Sequence, residues 1–281
     1  HGSGAAVVAA ARNGLIDYGR FVASLGIVWF QIQAPGSRIA YVALPFFLVV
    51  LAMPSSGNLA ARTQRLIIPF IVWSLIFGVV NTALAAKQQA PPLGWWEWQM
   101  LLTGTWSHLW ILPFAFLAAL VSPWFQHPLA SLGTAWLVSA LLVVKGTPEA
   151  APFGYWTFGI IPVLVSIAHY AWGWRLAAIT LVGSFLILHL GRPSPDNITI
   201  LIGTALGLVA MSYRLPATTL SDWCARLSVW IYLAHPLVII IGQSLRITWI
   251  ELGLFSLVGS AILAQILESA VQSSRRGRWV L

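Results

Sequence analysis

The sequence predicts an all-α polytopic membrane protein with about ten transmembrane helices and both termini in the cytoplasm. The first observation is composition: 59% of the 281 residues are hydrophobic and 8% are charged, with a mean hydropathy of +0.84. Soluble proteins carry about 25% charged residues. The second observation is that long apolar runs recur along the whole chain. The third is the distribution of arginines between those runs, which predicts the orientation.

Apolar runs separated by polar breaks define the ten candidate spans. Their approximate limits are residues 15–34, 39–53, 66–86, 108–125, 129–144, 154–172, 175–191, 197–213, 226–244 and 247–270. Several are shorter than the roughly 20 residues that an ideal membrane helix needs. We expect kinked or broken helices around a wet cavity, because prolines lie inside or near the ends of five runs: Pro45, Pro69, Pro113, Pro162 and Pro236.

The basic residues of the connections are unequally divided between the two sides of the membrane. With ten spans both termini share a side, and that side collects Arg12, Arg62, Arg65, Arg175, Arg214, Arg226, Arg275, Arg276 and Arg278. The other side has Arg38, Lys87, Lys145, Arg192 and Arg246. Cytoplasmic loops carry an excess of Lys and Arg, so this bias predicts that both termini are cytoplasmic.

One transmembrane domain at residues 15–270 is expected, preceded by a segment at residues 1–14 that begins with what resembles an expression-tag scar, His1 to Gly4. Residues 271–281 form a basic cytoplasmic tail that would touch anionic membrane lipid. The net charge of +8 is spread through short loops, so nucleic-acid binding is not expected. Cys224 is the single cysteine, and no metal site is predicted because no paired-histidine spacing is present.

The first span contains three polar residues in an otherwise apolar run. Asp17 and Arg20 are three positions apart and able to pair, and ten residues separate Arg20 from Gln31. Ionisable groups at membrane depth cost several kcal/mol unless they face a partner or water. These side chains are therefore candidate functional residues.

Arg62 and Arg65 lie three positions apart at the start of the third span, on one helix face. Two guanidinium groups there would form a fork for phosphate, which Arg binds with planar, bidentate geometry. The alternative is a pair of positive charges at a cytoplasmic helix end, without a ligand. The spacing alone is compatible with both interpretations.

Two histidines are candidates for acid–base chemistry. His108 stands at the membrane face opposite the cytoplasm. There it would act either as a general base or as an interfacial hydrogen-bonding residue. His235 is followed by Pro236 and lies deeper in its apolar run, which favours a functional role.

Five short motifs resemble those of the acyltransferase family 3 membrane proteins. The first is Asp17, Arg20 and the position of Gln31, which resembles the family's Asp, Arg, ten residues, then His. The others, in order, are Leu44-Pro45-Phe46-Phe47, Arg62-Thr63-Gln64-Arg65 with the Leu66 to Trp73 run after it, His108-Leu109-Trp110-Ile111-Leu112-Pro113 and Ile231-Tyr232-Leu233-Ala234-His235-Pro236-Leu237. The Ser-Gly that usually follows the second motif is not present in register.

The resemblance implies a multi-pass O-acyltransferase of the bacterial inner membrane. Such a protein would move an acyl group, with acetyl expected, from cytoplasmic acyl-CoA to a hydroxyl of an extracytoplasmic polysaccharide or glycolipid. The donor's phosphates would bind Arg62 and Arg65, and Arg20 would stabilise charge in the cavity. The acceptor would enter beside His108, with Trp110, Tyr232 and His235 as substrate-side candidates. Acyl-CoA would be a substrate, and no permanently bound cofactor is expected.

The departure from the family pattern is Gln31, where the resemblance implies a histidine that acts as base. A carboxamide cannot take up a proton near neutral pH. Three explanations of Gln31 compete. It is an introduced substitution, a natural variant in a protein whose base is another residue such as His108, or the mark of a protein that no longer transfers acyl groups. Alternatives of another class are a transporter and a structural subunit of a polysaccharide synthase or export complex.

Overall fold

A computed structural model describes residues 12–52, 59–146 and 153–273, and every structural statement below refers to these ranges. Their regular secondary structure is helical. The helices are α1 Gly14–Gln31, α2 Ser37–Leu51, α3 Leu59–Lys87, α4 Ser107–Phe125, α5 Pro128–Lys145, α6 Phe153–Trp172, α7 Trp174–Gly191, α8 Pro195–Ser212, α9 Thr219–Ser244 and α10 Trp249–Ser273. A single-turn helix, Met100–Thr103, precedes α4.

Eight of the described helices, α3 to α10, are long and apolar enough to cross a membrane. Helix α2 is a shorter apolar helix, made of Ser37–Ala40 and Ala43–Leu51. Helix α1 has 18 residues but contains Asp17 and Arg20, and it is not among the eight. The prediction of about ten spans is thus supported for eight, and the cytoplasmic location of the termini stays a prediction.

Two predicted features lie outside the described residues. They are the tag-like start at His1 to Gly4 and the three arginines of the C-terminal tail, Arg275, Arg276 and Arg278.

The short helix α2 lies between longer helices that approach it closely. On α8, a methyl group added to Gly203 would collide with the Val42 carbonyl, and one added to Gly207 would collide with Val49. Small residues four positions apart let membrane helices pack at short distance. From α6, the Ser166 hydroxyl donates to the Val49 carbonyl at 2.7 Å. A helix too short to span a bilayer is therefore held by its neighbours.

Helix α1 begins against the connection between α8 and α9. Asn13 caps α1 by accepting from the Leu15 N–H, and its amide donates to the carbonyls of Ala210 and Tyr213 at 2.8 Å each. The backbone N–H of Gly14 also donates to the Leu215 carbonyl. Because α1 packs along α9 and α2, this anchor fixes which residues of α1 face the interior.

Helix geometry changes near two of the prolines. A π-helical turn, Thr63–Ile67, precedes Pro69, and a 3-10 turn, Ser107–Trp110, precedes Pro113. Such turns re-aim side chains relative to a regular helix and are frequent at functional sites. They carry Arg65 and His108, two of the candidate residues.

Candidate active site

Five arginines line a cavity of about 500 Å³ near the start of α1, which we call the arginine cavity. They come from distant parts of the chain: Arg12, Arg20, Arg62, Arg65 and Arg226. Its other walls are mostly apolar side chains of α2, α4 and α9. A cationic cavity with apolar walls suits a ligand that joins phosphates to a less polar arm.

Arg62 and Arg65 both line this cavity. Arg62 directly precedes the π-helical turn and Arg65 lies inside it, and the Ile68 N–H bonds to the Thr63 carbonyl across the turn. Arg62 Nη1 donates to the Ala119 carbonyl of α4 at 2.8 Å. Part of the Arg62 guanidinium is therefore used to hold α3 against α4, and Arg65 is the more exposed of the two.

Asp17 pairs with Arg12 rather than with Arg20, so the expected pairing within α1 is wrong. Asp17 is 4% exposed, and its Oδ2 lies 2.8 Å from Arg12 Nε. Arg12 also contacts Asp222 in the first turn of α9, with 2.7 Å between Nη1 and Oδ1. Arg12 precedes α1, so its side chain can reach Asp17 in the first turn of α1 and Asp222 in the first turn of α9 at once.

Arg20 contributes a cation to the cavity, and no carboxylate of the described residues forms an ion pair with it. Its Nε is shielded from solvent and has no hydrogen-bond partner in the part of the chain that the structure describes. The charges near enough to interact with it are those of Asp17, Arg65 and Arg12. An arginine in this state is suited to an anionic ligand, since an unpaired buried charge is unfavourable.

A second cavity, of about 580 Å³, lies at the other end of α1, and we call it the aromatic cavity. Gln31, the last residue of α1, lines it. Its rings include a Phe30–Tyr41 pair with centroids 4.2 Å apart and a Trp110–Tyr155 pair at 5.9 Å, both stacked. Its other polar walls come mainly from the α7–α8 corner and α6: Thr157, Arg192, Ser194, Asp196 and Asn197.

Arg20 and Gln31 therefore belong to different cavities. Their positions differ by eleven, which is about 16 Å along a helix axis. The resemblance implies that Arg20 and Gln31 act together on one catalytic helix, whereas in the structure they line two different cavities.

The two cavities meet at Ile111 and Tyr232, which line both of them. Ile111 is 2% exposed and Tyr232 is 6% exposed. The Tyr232 hydroxyl donates to the backbone carbonyl of His108. This hydrogen bond fixes the Tyr232 ring, which belongs to α9, against the first turn of α4. These two side chains form a thin shared wall.

His108 lies beside this wall and lines the aromatic cavity. Its ring packs edge-on against Tyr232 and His235, with centroid separations of 5.2 and 5.0 Å. The Leu233 carbonyl lies near the ring, yet neither ring nitrogen makes a hydrogen bond of normal geometry within the described ranges. Both ring nitrogens of His108 are thus shielded from solvent and unpaired within the described residues, at the edge of the aromatic cavity.

His235 lies behind His108 and is absent from the linings of both cavities. Its Nδ1–H donates to the Tyr232 carbonyl at 2.8 Å and the Ile231 carbonyl at 3.2 Å. Pro236 has no N–H for the Tyr232 carbonyl, so the imidazole replaces the missing helical bond. The motif thus has a structural explanation, and His235 Nε2 is a buried acceptor without a partner among the described residues.

The structure also brings to the site residues that the sequence pattern assigned to charged loops or did not single out. Arg12 and Arg226 complete the arginine cavity, and Glu268 lies buried against Arg226. A signal for the last was present, because an acid inside the apolar final span is costly without a partner. Tyr41 and Tyr155 had no such signal, since aromatic residues are common throughout the chain.

The fold and the site define a class of protein: a helical membrane protein with two chemically different cavities that share one wall. The family model acyltransferase family 3, described as an acyltransferase domain, matches residues 13–268. The chain therefore belongs to this family and is a multi-pass membrane acyltransferase by membership. Neither a curated protein nor a solved structure matches it.

Proposed function

We propose that this protein is an O-acyltransferase that takes an acyl group, acetyl in the simplest case, from acyl-CoA in the arginine cavity. The acceptor is a hydroxyl of a polysaccharide or glycolipid in the aromatic cavity. The observation that carries the proposal is the shared wall, because Ile111 and Tyr232 line both cavities beside His108. A thioester at the end of one cavity and a hydroxyl at the end of the other would meet there.

The chemistry of each cavity supports its assigned ligand. Arginines bind phosphate through charge-assisted, bidentate hydrogen bonds. Aromatic faces with neighbouring amide, hydroxyl and carboxylate groups suit a sugar, which has apolar ring faces and many hydroxyls. The positive-inside bias would place the arginine cavity toward the cytoplasm, where acyl-CoA is made, and the aromatic cavity toward the outside of a bacterial inner membrane.

His108 acts as the general base in this proposal, in place of the histidine for which Gln31 stands. A ring nitrogen of His108 takes the proton of the acceptor hydroxyl as its oxygen attacks the thioester carbonyl carbon. The carbon–sulfur bond then breaks, and the CoA thiolate leaves with the proton that His108 received. Gln31 positions the acceptor through its carboxamide, which both donates and accepts hydrogen bonds.

The test is turnover by the purified full chain in proteoliposomes with labelled acetyl-CoA and a mixture of bacterial glycans. We expect labelled glycan, or slow release of free CoA without an acceptor. The Gln31→His variant is assayed in parallel. Absence of both turnover and CoA binding in both proteins would overturn the proposal and favour a transporter.

A structural subunit would give a different result. It would turn over acetyl-CoA only together with a synthase or export partner, and it would co-purify with that partner as a stable complex. Activity that appears only after Gln31→His would identify an inactivated enzyme.

A further inference from the structure

A third group of residues at the arginine cavity lies outside the five sequence motifs. Arg226 lines the cavity from α9. Trp230 lies four positions later on the same helix face, and Glu268 lies near the end of α10. The three side chains form one connected set.

Glu268 holds this set together. It is 4% exposed, and its Oε1 lies 3.1 Å from Arg226 Nε. Its Oε2 accepts a hydrogen bond of 2.9 Å from the indole Nε1–H of Trp230. Both carboxylate oxygens are thus used, and the indole fixes the direction of the carboxylate toward Arg226.

This arrangement orients the Arg226 guanidinium toward the cavity. Its Nε bonds the buried carboxylate, and among the described residues Nη1 and Nη2 have no ion-pair or hydrogen-bond partner. The side chain of Arg226 is 43% exposed, whereas that of Glu268 is 6% exposed. The guanidinium therefore lies between a buried acid on one side and the open cavity on the other.

The proposed donor, acyl-CoA, carries more anionic charge than one pair of arginines can neutralise, so a second phosphate-binding position is useful. Coenzyme A carries a diphosphate and a separate phosphate monoester on its ribose. Arg62 and Arg65 approach the cavity from α3, and Arg226 approaches from α9 on a different wall. We propose that Arg226, oriented by Glu268 and Trp230, is a second phosphate-binding position for the nucleotide part of acyl-CoA.

This inference rests on the proposed donor. The competing explanation is an ion pair that only fastens α9 to α10, whose packing against each other is extensive.

The experiment measures equilibrium binding of three probes to the full chain in neutral nanodiscs. The probes are acetyl-CoA, its analogue without the ribose phosphate, and acetyl-pantetheine, which lacks the nucleotide and every phosphate. The variant is Arg226→Gln, and the control is Arg214→Gln, an exposed arginine near the start of α1 that does not line the cavity. The double variant Arg226→Gln/Glu268→Gln removes both charges and keeps the net charge and the Trp230 acceptor.

We expect Arg226→Gln and the double variant to bind acetyl-CoA roughly tenfold more weakly and acetyl-pantetheine as the unmodified protein does. Arg214→Gln should bind both normally. Equal losses for both probes, or no loss in the double variant, would overturn the inference in favour of a helix fastening. In a parallel series with anionic lipid added to the nanodiscs, a loss of lipid binding by Arg226→Gln with unchanged acetyl-CoA binding would overturn it in favour of a lipid headgroup site.

The proposed function fails in a different way. In that case the unmodified protein itself binds none of the CoA probes.

Discussion

The two cavities are similar in volume and opposite in chemistry. The arginine cavity has five cations, and carboxylates hold two of them from behind, at Arg12 and Arg226. The aromatic cavity contains one arginine, one aspartate and a larger set of neutral polar and aromatic groups. The difference supports the proposed division of labour, in which a polyanionic donor and a polyhydroxylated acceptor bind separately and meet only at the shared wall.

The largest effect should follow from removing the base at that wall. His108→Gln keeps a hydrogen-bonding side chain but cannot take up a proton, so kcat should fall by about 10² to 10⁴. The KM for acetyl-CoA should change little, because His108 lines only the aromatic cavity. Steady-state transfer assays measure both constants.

A matched control separates catalysis from folding in that experiment. His127→Gln changes an exposed histidine that lines neither cavity, and it should behave as the unmodified protein. Added imidazole should restore part of the activity of His108→Ala, where space is left, but not that of His108→Gln. If His108→Gln retained normal kcat, the base would have to be another residue.

A smaller effect, confined to the donor, is expected at the arginine cavity. Arg65→Gln removes a charge that lines this cavity alone, so the KM for acetyl-CoA should rise by about 10- to 100-fold. The KM for the acceptor should stay the same. Arg65 is preferable to Arg62 for this test, because Arg62 also bonds the Ala119 carbonyl. An equal rise in both KM values would contradict the division between the cavities.

Gln31 should affect the acceptor only, and more weakly. Gln31→Ala removes one neutral hydrogen-bonding group, so the acceptor KM should rise by a few-fold to about tenfold. Gln31→His should change kcat by less than tenfold if His108 already serves as base. A gain of 100-fold or more in the Gln31→His variant would assign the base to that position instead, and rapid-quench or steady-state assays resolve the difference.

Helix positions were predictable from sequence because hydropathy and length largely determine membrane spans. The start of α9 was predicted at residue 226 and lies at Thr219, since its first turns are polar and capped by Thr218. The arginine cavity could be predicted in part: the three-residue spacing brings Arg62 and Arg65 together on one helix. Arg226 and Arg12 could not be placed beside them, because only the packing of α1, α3 and α9 brings such distant positions together.

The Asp17 prediction shows the limit of spacing arguments. Asp17 and Arg20 have the correct helical separation, yet Arg12, from outside the helix, makes the ion pair. Helical periodicity describes which residues share a face, but it gives no information about side chains that arrive from a preceding segment. The assignment of Arg20 and Gln31 to separate cavities has the same origin, because a cavity boundary depends on neighbouring helices.

The shared wall itself gives the smallest and most specific prediction. If the acyl group lies against Ile111 when it reacts, its size should be limited by that side chain. Ile111→Val removes one methylene, so transfer from propionyl-CoA relative to acetyl-CoA should increase by a few-fold, at a cost of about 0.5–1.5 kcal/mol in stability. Competition assays with both donors measure the ratio, and thermal unfolding measures the stability.

Leu142→Val is the matched control for this last variant, because Leu142 lines the aromatic cavity without reaching the arginine cavity. It should leave the donor ratio unchanged, since an acyl group that stays at the shared wall does not contact it. A donor ratio that responds to Leu142→Val and not to Ile111→Val would mean that the acyl group passes beyond the wall before it reacts. The reaction would then occur inside the aromatic cavity, and the two chambers would form one continuous path rather than two sites with a common boundary.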